Sequence, residues 1–196
     1  MMPNNLLSKD GEVYLYQNFF SHLEESHLFT ILKQQTLWRQ ESIRIMGNQV
    51  LQPRLTALYG DVDKSYSYSG ITMNPEKWTD DLLFIKKKIE AFLGQKFSTV
   101  LLNYYRNGTD SMGWHRDNEQ SLGRNPVIVS ISLGASRPFL LRHYDDRELR
   151  IKINLTPGSL LLMKGATQHH WQHSLPKVPK LAEARINLTF RTITNY

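Results

Sequence analysis

Arg185-Ile186-Asn187-Leu188-Thr189-Phe190-Arg191 alternates without a break between polar and apolar residues. A period of two marks a β-strand, in which successive side chains point to opposite faces. Ile186, Leu188 and Phe190 share one face; Arg185, Asn187, Thr189 and Arg191 share the other. In an open sheet the polar face meets solvent. In a closed barrel it can line a ligand cavity instead, and the alternation alone leaves both readings open. The two arginines lie about 20 Å apart along an extended strand, a separation across which long side chains can converge. A planar guanidinium recognises carboxylates with two hydrogen bonds. A dicarboxylate is therefore the natural guest of such a face.

Around this strand the chain reads as short β-segments, near 98–105, 127–133, 137–143, 149–155, 159–163, 169–174 and 185–193. Gly108, Gly123, Pro126, Gly134, Pro157-Gly158 and Pro176 separate them. That spacing predicts a sandwich or barrel, and a jelly roll would close its strands over an interior pocket. The first half is more mixed. Residues 12–20 read as an aromatic-rich strand. Ser21 with Glu24 forms a capping box, and Leu23, His27, Leu28, Ile31 and Leu32 fall on one helical face. Residues 42–46 and 55–59 are β-rich with the turn signal Gly47-Asn48 between them, so a hairpin is expected. Tyr66 and Tyr68, two apart, would share a face, as packing residues or as stacking platforms for a base. A second helix opens near Thr79 or Asp80, carries Leu82, Ile85, Ile89 and Phe92, and stops at Gly94. The expected class is mainly β with flanking helices (α+β).

The chain has 196 residues, enough for one domain with its own core. We expect a single domain over 1–196, with an extension over about 1–95 and a jelly-roll core over about 96–196. It contains no cysteine, which excludes disulfides, thiol catalysis and iron–sulfur clusters. The net charge of +6 fits a polyanionic partner and equally a merely basic protein. No signal peptide or membrane-spanning run is visible, so no membrane role is expected.

Gly113-Trp114-His115-Arg116-Asp117 places an imidazole and a carboxylate two residues apart, and His173 follows 58 positions later. Two imidazoles and one carboxylate on one side of a metal form the facial triad of non-haem iron oxygenases. A lone His-x-Asp is unspecific and occurs by chance on exposed loops. The third ligand is not settled by spacing, because His169, His170 and His173 are all close together.

A set of motifs in fixed order carries a resemblance that bears on this choice. They are Gln52-Pro53-Arg54, Tyr59-Gly60-Asp61, Tyr66-Ser67-Tyr68-Ser69-Gly70, Asn103-Tyr104-Tyr105-Arg106, His115-Arg116-Asp117, Ser130-Ile131-Ser132-Leu133-Gly134-Ala135, Trp171-Gln172-His173 and Arg185-x-Asn187-Leu188-Thr189-Phe190-Arg191. With them, residues from about 38 to 193 resemble the AlkB family of Fe(II)/2-oxoglutarate-dependent dioxygenases, most closely the branch of the human homologues 2 and 3.

The resemblance implies a double-stranded β-helix (jelly roll) with an N-terminal helix/hairpin extension for nucleotide recognition. It implies Fe(II), 2-oxoglutarate and O2 as cofactor and co-substrates. His115, Asp117 and His173 would bind the metal. Arg185 would clamp the distal carboxylate of 2-oxoglutarate, and Arg191 would act near its metal-proximal carboxylate and Asp117. Asn103, Tyr105, Asn187 and Thr189 match other co-substrate contacts. Tyr66, Tyr68 and Ser69 match the pocket for an extruded base, with Arg54 near its entrance. Ile45-Met46-Gly47 matches a finger that fills the gap left by that base, with Met46 as an apolar wedge. Close relatives often carry a second carboxylate directly after the metal-binding one. Here that residue is Asn118, which leaves the base preference open. The implied activity is oxidative demethylation of 1-methyladenine and 3-methylcytosine in DNA, releasing formaldehyde, succinate and CO2. The alternatives are the same chemistry on RNA, and a non-catalytic nucleic-acid-binding jelly roll. The expected state is a cytoplasmic monomer, associated with the nucleoid in a bacterium or nuclear in a eukaryote.

Overall fold

A computed structural model describes residues 3–45, 48–61, 66–68 and 71–194. In chain order its elements are β1 (Glu12–Tyr16), α1 (His22–Gln35), β2 (Ser42–Ile45), β3 (Asn48–Leu51), β4 (Leu55–Gly60), β5 (Tyr66–Tyr68) and β6 (Ile71–Met73). They continue with α2 (Asp80–Leu93), β7 (Thr99–Tyr105), β8 (Met112–His115), β9 (Ile128–Gly134), β10 (Arg137–His143) and β11 (Arg150–Leu155). The chain ends with β12 (Leu160–Lys164), α3 (Thr167–His170), β13 (Trp171–Leu175) and β14 (Arg185–Arg191).

Two antiparallel sheets make the jelly roll. The larger runs β1-β12-β9-β14-β7-β4 and the smaller β11-β10-β13-β8. β14 lies inside the larger sheet, paired with β9 on one side and β7 on the other. Its alternation therefore has two buried faces. Ile186, Leu188 and Phe190 are 0% exposed and pack outward, in one cluster with Leu28 and Leu32 of α1 and Leu82, Ile85 and Ile89 of α2. Burying each such side chain contributes about 1.5–3 kcal/mol. The polar set faces the smaller sheet and lines a cavity. Of the two readings open in the sequence, the ligand-lining one holds.

Both helices have the predicted caps. Ser21 and Glu24 complete the capping box of α1. Thr79 caps the start of α2, and Gly94 ends it at φ 66°, in the left-handed region where glycine meets no steric cost. The expected α1 face is only partly the buried one. Leu23 is 82% exposed and His27 is exposed, while Glu25, Leu28 and Leu32 are buried. Glu25 is tolerated inside because its Oε1 accepts the Gly134 N–H at 2.6 Å.

Two further expectations are corrected. The hairpin partner of 42–45 is 48–51, with Ile45 opposite Asn48. Residues 55–60 instead join the larger sheet beside β7, where a mostly buried strand finds two covered faces. The stretch 169–174 is not all strand. Residues 167–170 form the helical turn α3, and β13 begins only at Trp171.

Candidate active site

β13 and β8 are adjacent antiparallel strands, and His173 is the cross-strand partner of His115. Cross-strand partners stand on the same face, and the two rings lie 4.2 Å apart between centroids. Asp117 follows the end of β8 by two residues and reaches the same point. One ligand atom from each of His115, Asp117 and His173 lies within 4.8 Å of the others.

A second trio, Asp10, His143 and His170, is equally close in distance. Hydrogen bonds tell the two apart. His115 Nδ1 lies 2.9 Å from the Gly113 carbonyl oxygen, which can only accept. The proton is therefore on Nδ1, and Nε2 faces Asp117 Oδ1 at 3.6 Å. That is the tautomer that binds metals, held by a backbone carbonyl behind it. His143 is the opposite case. Its Nδ1 accepts the Asp146 N–H, so Nε2 carries the proton and donates to Asp10. His143 also stacks on His170 at 5.8 Å. This trio is a clamp between the N-terminal segment and β10, and its buried imidazole has no free lone pair for an ion.

The charge balance of the first trio also fits a cation. Burial pushes His173 down to about 3, aided by the nearby His115. Burial likewise lowers His115, against the opposing pull of Asp117. Both rings are then neutral, as metal ligation requires. Burial alone would raise the Asp117 carboxyl. The charge of Arg191 and its hydrogen bond oppose that effect and hold the group well below the usual carboxylate range. Asp117 Oδ1 and His173 Nδ1 are buried without a hydrogen-bond partner. Two neutral imidazoles, one carboxylate and orphaned buried donor atoms suit a divalent transition metal.

The trio lines a cavity with a volume of about 60 Å³. The polar face of β14 is wired across its floor. Arg185 Nη2 donates to Ser132 Oγ at 2.9 Å and to Asn187 Oδ1 at 2.7 Å. Ser130 Oγ donates to Asn187 Oδ1, and Asn187 Nδ2 donates to Thr189 Oγ1. Arg185 is 2% exposed, and its Nε is buried without a partner. Burial pushes its guanidinium down to about 10. Ser132 Oγ and Asn187 Oδ1 are neutral oxygens, so the site calls for an anion. At the other end, Arg191 Nη2 donates to Asp117 Oδ2 at 2.6 Å.

Asn103 and Tyr105 of β7 line the same cavity, and so does Arg54. Arg54 is 4% exposed and its Nε donates to Asn103 Oδ1 at 2.8 Å, so it is tied to β7 inside the cavity. Asn118 is exposed beside Asp117. Tyr66 and Tyr68 sit two apart on β5, which pairs with β6 through Tyr66–Met73 and Tyr68–Ile71. Met46, Gly47 and Ser69 lie outside the described residues.

Several further residues support the site. Gln168, 1% exposed on α3, accepts the Asp117 N–H at 2.9 Å and so fixes the metal-binding loop. Arg116 Nη1 holds the same turn through the His169 carbonyl. Ser130 and Ser132 support Arg185 and Asn187. Their spacing of two within a strand was the available clue.

The sequence model of the 2OG-Fe(II) oxygenase superfamily matches residues 12–191. Mouse "DNA oxidative demethylase ALKBH2" is 36% identical, with 91% of this chain and 79% of that protein covered. The chain belongs to the AlkB family of 2OG-Fe(II) oxygenases. Within that family it is 43% identical to human "Alpha-ketoglutarate-dependent dioxygenase alkB homolog 3", covering 93% of this chain. It spans just under two thirds, 66%, of that relative's length. The solved structure of OsALKBH1 superposes with a TM-score of 0.65 at 17% identity, over 96% of this chain and 100% of that one. An AlkB-type jelly roll is thus shared even where sequence has diverged. The trio His115, Asp117 and His173 fits the Fe(II) after which the superfamily is named, and the orphaned Arg185 fits its 2-oxoglutarate.

Proposed function

We propose that this protein is an oxidative demethylase that restores 1-methyladenine and 3-methylcytosine in DNA. The reaction would consume O2 and 2-oxoglutarate and yield succinate, CO2, formaldehyde and the unmodified base. The observation that carries the reading is the trio itself, with His115 locked in the ligating tautomer beside a buried cation that lacks an anion. Iron, when bound, supplies the oxidising chemistry.

The chain's own residues then have separable tasks. His115, Asp117 and His173 hold the metal. Arg191 keeps Asp117 ionised, and Gln168 fixes its backbone. Arg185, with Asn187, Thr189, Asn103 and Tyr105 around it, would orient the co-substrate by its distal carboxylate. A methylated base must leave its stack to reach such a buried centre. Tyr66, Tyr68 and Ser69 would receive it, Arg54 would border it, and Asn118 would meet its edge. Met46 and Gly47 would fill the gap it leaves. Support for the last role comes from β3, every residue of which is exposed, including Val50 and Leu51. Exposed apolar side chains such as Val50 and Leu51 suit a base stack better than a core.

The names of the similar proteins favour DNA. The net charge of +6 is equally compatible with RNA. Formaldehyde release from matched methylated DNA and RNA oligonucleotides, each single- and double-stranded, tests the proposal. Release that depends on iron and 2-oxoglutarate supports it, and the preferred oligonucleotide names the substrate. Binding without release would leave a nucleic-acid-binding module.

A further inference from the structure

The ring of Tyr105 is approached by two buried guanidinium groups. Arg185 Cζ lies 5.5 Å from its centroid and Arg137 Cζ lies 5.7 Å away. Arg137 is 0% exposed, on the first residue of β10. It donates to three backbone carbonyls: Asn107 at 3.3 Å, Asp110 at 2.8 Å and Pro176 at 2.7 Å. Its Nε is buried without a partner.

Those carbonyls satisfy N–H groups but do not neutralise a charge. The neighbouring carboxylate, Asp110, is already held by Arg106, which donates to both of its oxygens at 2.8 and 2.9 Å. Two cations are thus buried around one ring, without a closely paired carboxylate for either among the described residues. Like charges in such surroundings repel, and burying a charge without a counter-ion is costly. An anion brought to Arg185 relieves both. Arg137 itself does not line the cavity, so it can act on that anion only through its field and through Tyr105.

We propose that Arg137 is a positioning residue for the co-substrate: its buried charge, relayed past Tyr105, strengthens capture of the distal carboxylate held at Arg185. This rests on the reading of Arg185 as the 2-oxoglutarate clamp. A purely structural role is the competing account, since Arg137 ties the 107–110 loop to Pro176. Those loops have other ties. Gly108 N–H donates to the Leu181 carbonyl and Val178 N–H to the Gly108 carbonyl. A Cβ at Gly108 would fall 1.8 Å from the Val178 oxygen, so the two loops already touch there.

The test separates charge from shape. Arg137→Gln keeps a hydrogen-bonding group and loses the charge; Arg137→Lys keeps the charge and loses most of the bonds. The full chain is assayed with Fe(II) at saturating methylated oligonucleotide, with KM for 2-oxoglutarate, kcat and melting temperature read together. Arg137→Gln should raise that KM roughly tenfold with kcat within about twofold, as expected for one buried charge removed at an effective dielectric near 20. Arg137→Lys should stay within about twofold of the parent in KM even if its melting temperature falls. Equal KM increases for both variants, in step with melting temperature, would overturn the proposal, as would an unchanged KM for Arg137→Gln. If Arg137→Gln does not fold, Arg137→Lys decides: a parent-like KM supports the charge role and a tenfold rise refutes it. Arg185→Gln run alongside keeps the underlying reading distinct, because an unchanged KM there would remove the clamp itself.

Discussion

Arg191 and Asp117, 74 residues apart in the chain, form a charge-assisted hydrogen bond of 2.6 Å with both side chains almost wholly buried. The pair closes β14 against the loop after β8, which brings the two sheets together at the metal site. Breaking a buried pair by removing one partner typically costs about 3–5 kcal/mol, because the remaining charge is left alone in a poor solvent. Arg191→Ala should therefore lower metal-free stability by that order, read from denaturant midpoints. Arg191→Lys should recover part of it. A midpoint shift for Arg191→Ala worth less than about 0.5 kcal/mol would show that Asp117 does not depend on this partner.

The tautomer argument yields a second prediction. His115→Ala and His173→Ala should each abolish turnover and Mn(II) binding while the protein stays folded. Asp117→Asn should do the same; the amide keeps the shape and an oxygen that can accept from Arg191 while removing the charge. His170→Ala should keep substantial activity, since its ring stacks on His143 in the other trio. A dead His170→Ala protein beside an active His173→Ala protein would reverse the ligand assignment.

How legible all this was depends on whether a residue's role is set along the chain or across it. β14 could be read because alternation is a local pattern, and both helix caps because capping involves neighbours three residues apart. The face of α1 was read only in part: Leu28 and Leu32 are buried as expected, but Glu25 joins them through the Gly134 N–H, 109 residues away in sequence. His169 and His170 read as the start of a strand in isolation, yet they end the helical turn α3. That turn is bent by tertiary demands: Gln168 must reach Asp117, and the Thr167 hydroxyl accepts the Glu12 N–H. The metal trio was visible through motif order, yet the reason His115 can ligate, its bond to Gly113, was not. Arg137 had no signal at all, since an arginine opening a strand ordinarily faces water.

Glu24 supplies a pH-dependent test of the helix layer. Its Oε1 accepts from Lys88 Nζ at 2.7 Å, joining α1 to α2, and its Oε2 accepts the Ser21 N–H at 2.8 Å. The Lys88 bond, then the Ser21 N–H, hold its carboxyl down to about 2. An unfolded glutamate titrates near 4.3. A carboxyl depressed by folding stabilises fully above the unfolded value, and that contribution is lost as pH falls toward the folded one. The side chain is 35% exposed, and solvent screening together with the cap limits the effect to about 1 kcal/mol. The urea-midpoint gap between the parent and Glu24→Gln should be full at about pH 7 and shrink between about pH 4 and pH 2. A gap that stays constant across that range would mean the charge contributes nothing.

Arg54 is where the placement and the family resemblance point to different partners. The resemblance sets it at the entrance of the base pocket. In the fold its Nε holds Asn103 Oδ1 at 2.8 Å, and Asn103 is the cross-strand partner of Asn187. Removing the donor leaves a buried amide oxygen unsatisfied, at a cost of about 1–3 kcal/mol. Asn103 can escape part of that cost only by turning toward Asn187, which disturbs the chain of bonds around Arg185. Arg54→Met preserves length and apolar contact while removing the donor and its charge. It should raise KM for 2-oxoglutarate by roughly tenfold, the equivalent of about 1.4 kcal/mol, and raise KM for the methylated oligonucleotide by less. Both constants can be measured on one preparation by varying each substrate at saturation of the other. A rise confined to the oligonucleotide would return Arg54 to the mouth of the base pocket and leave its bond to Asn103 without a role in co-substrate binding.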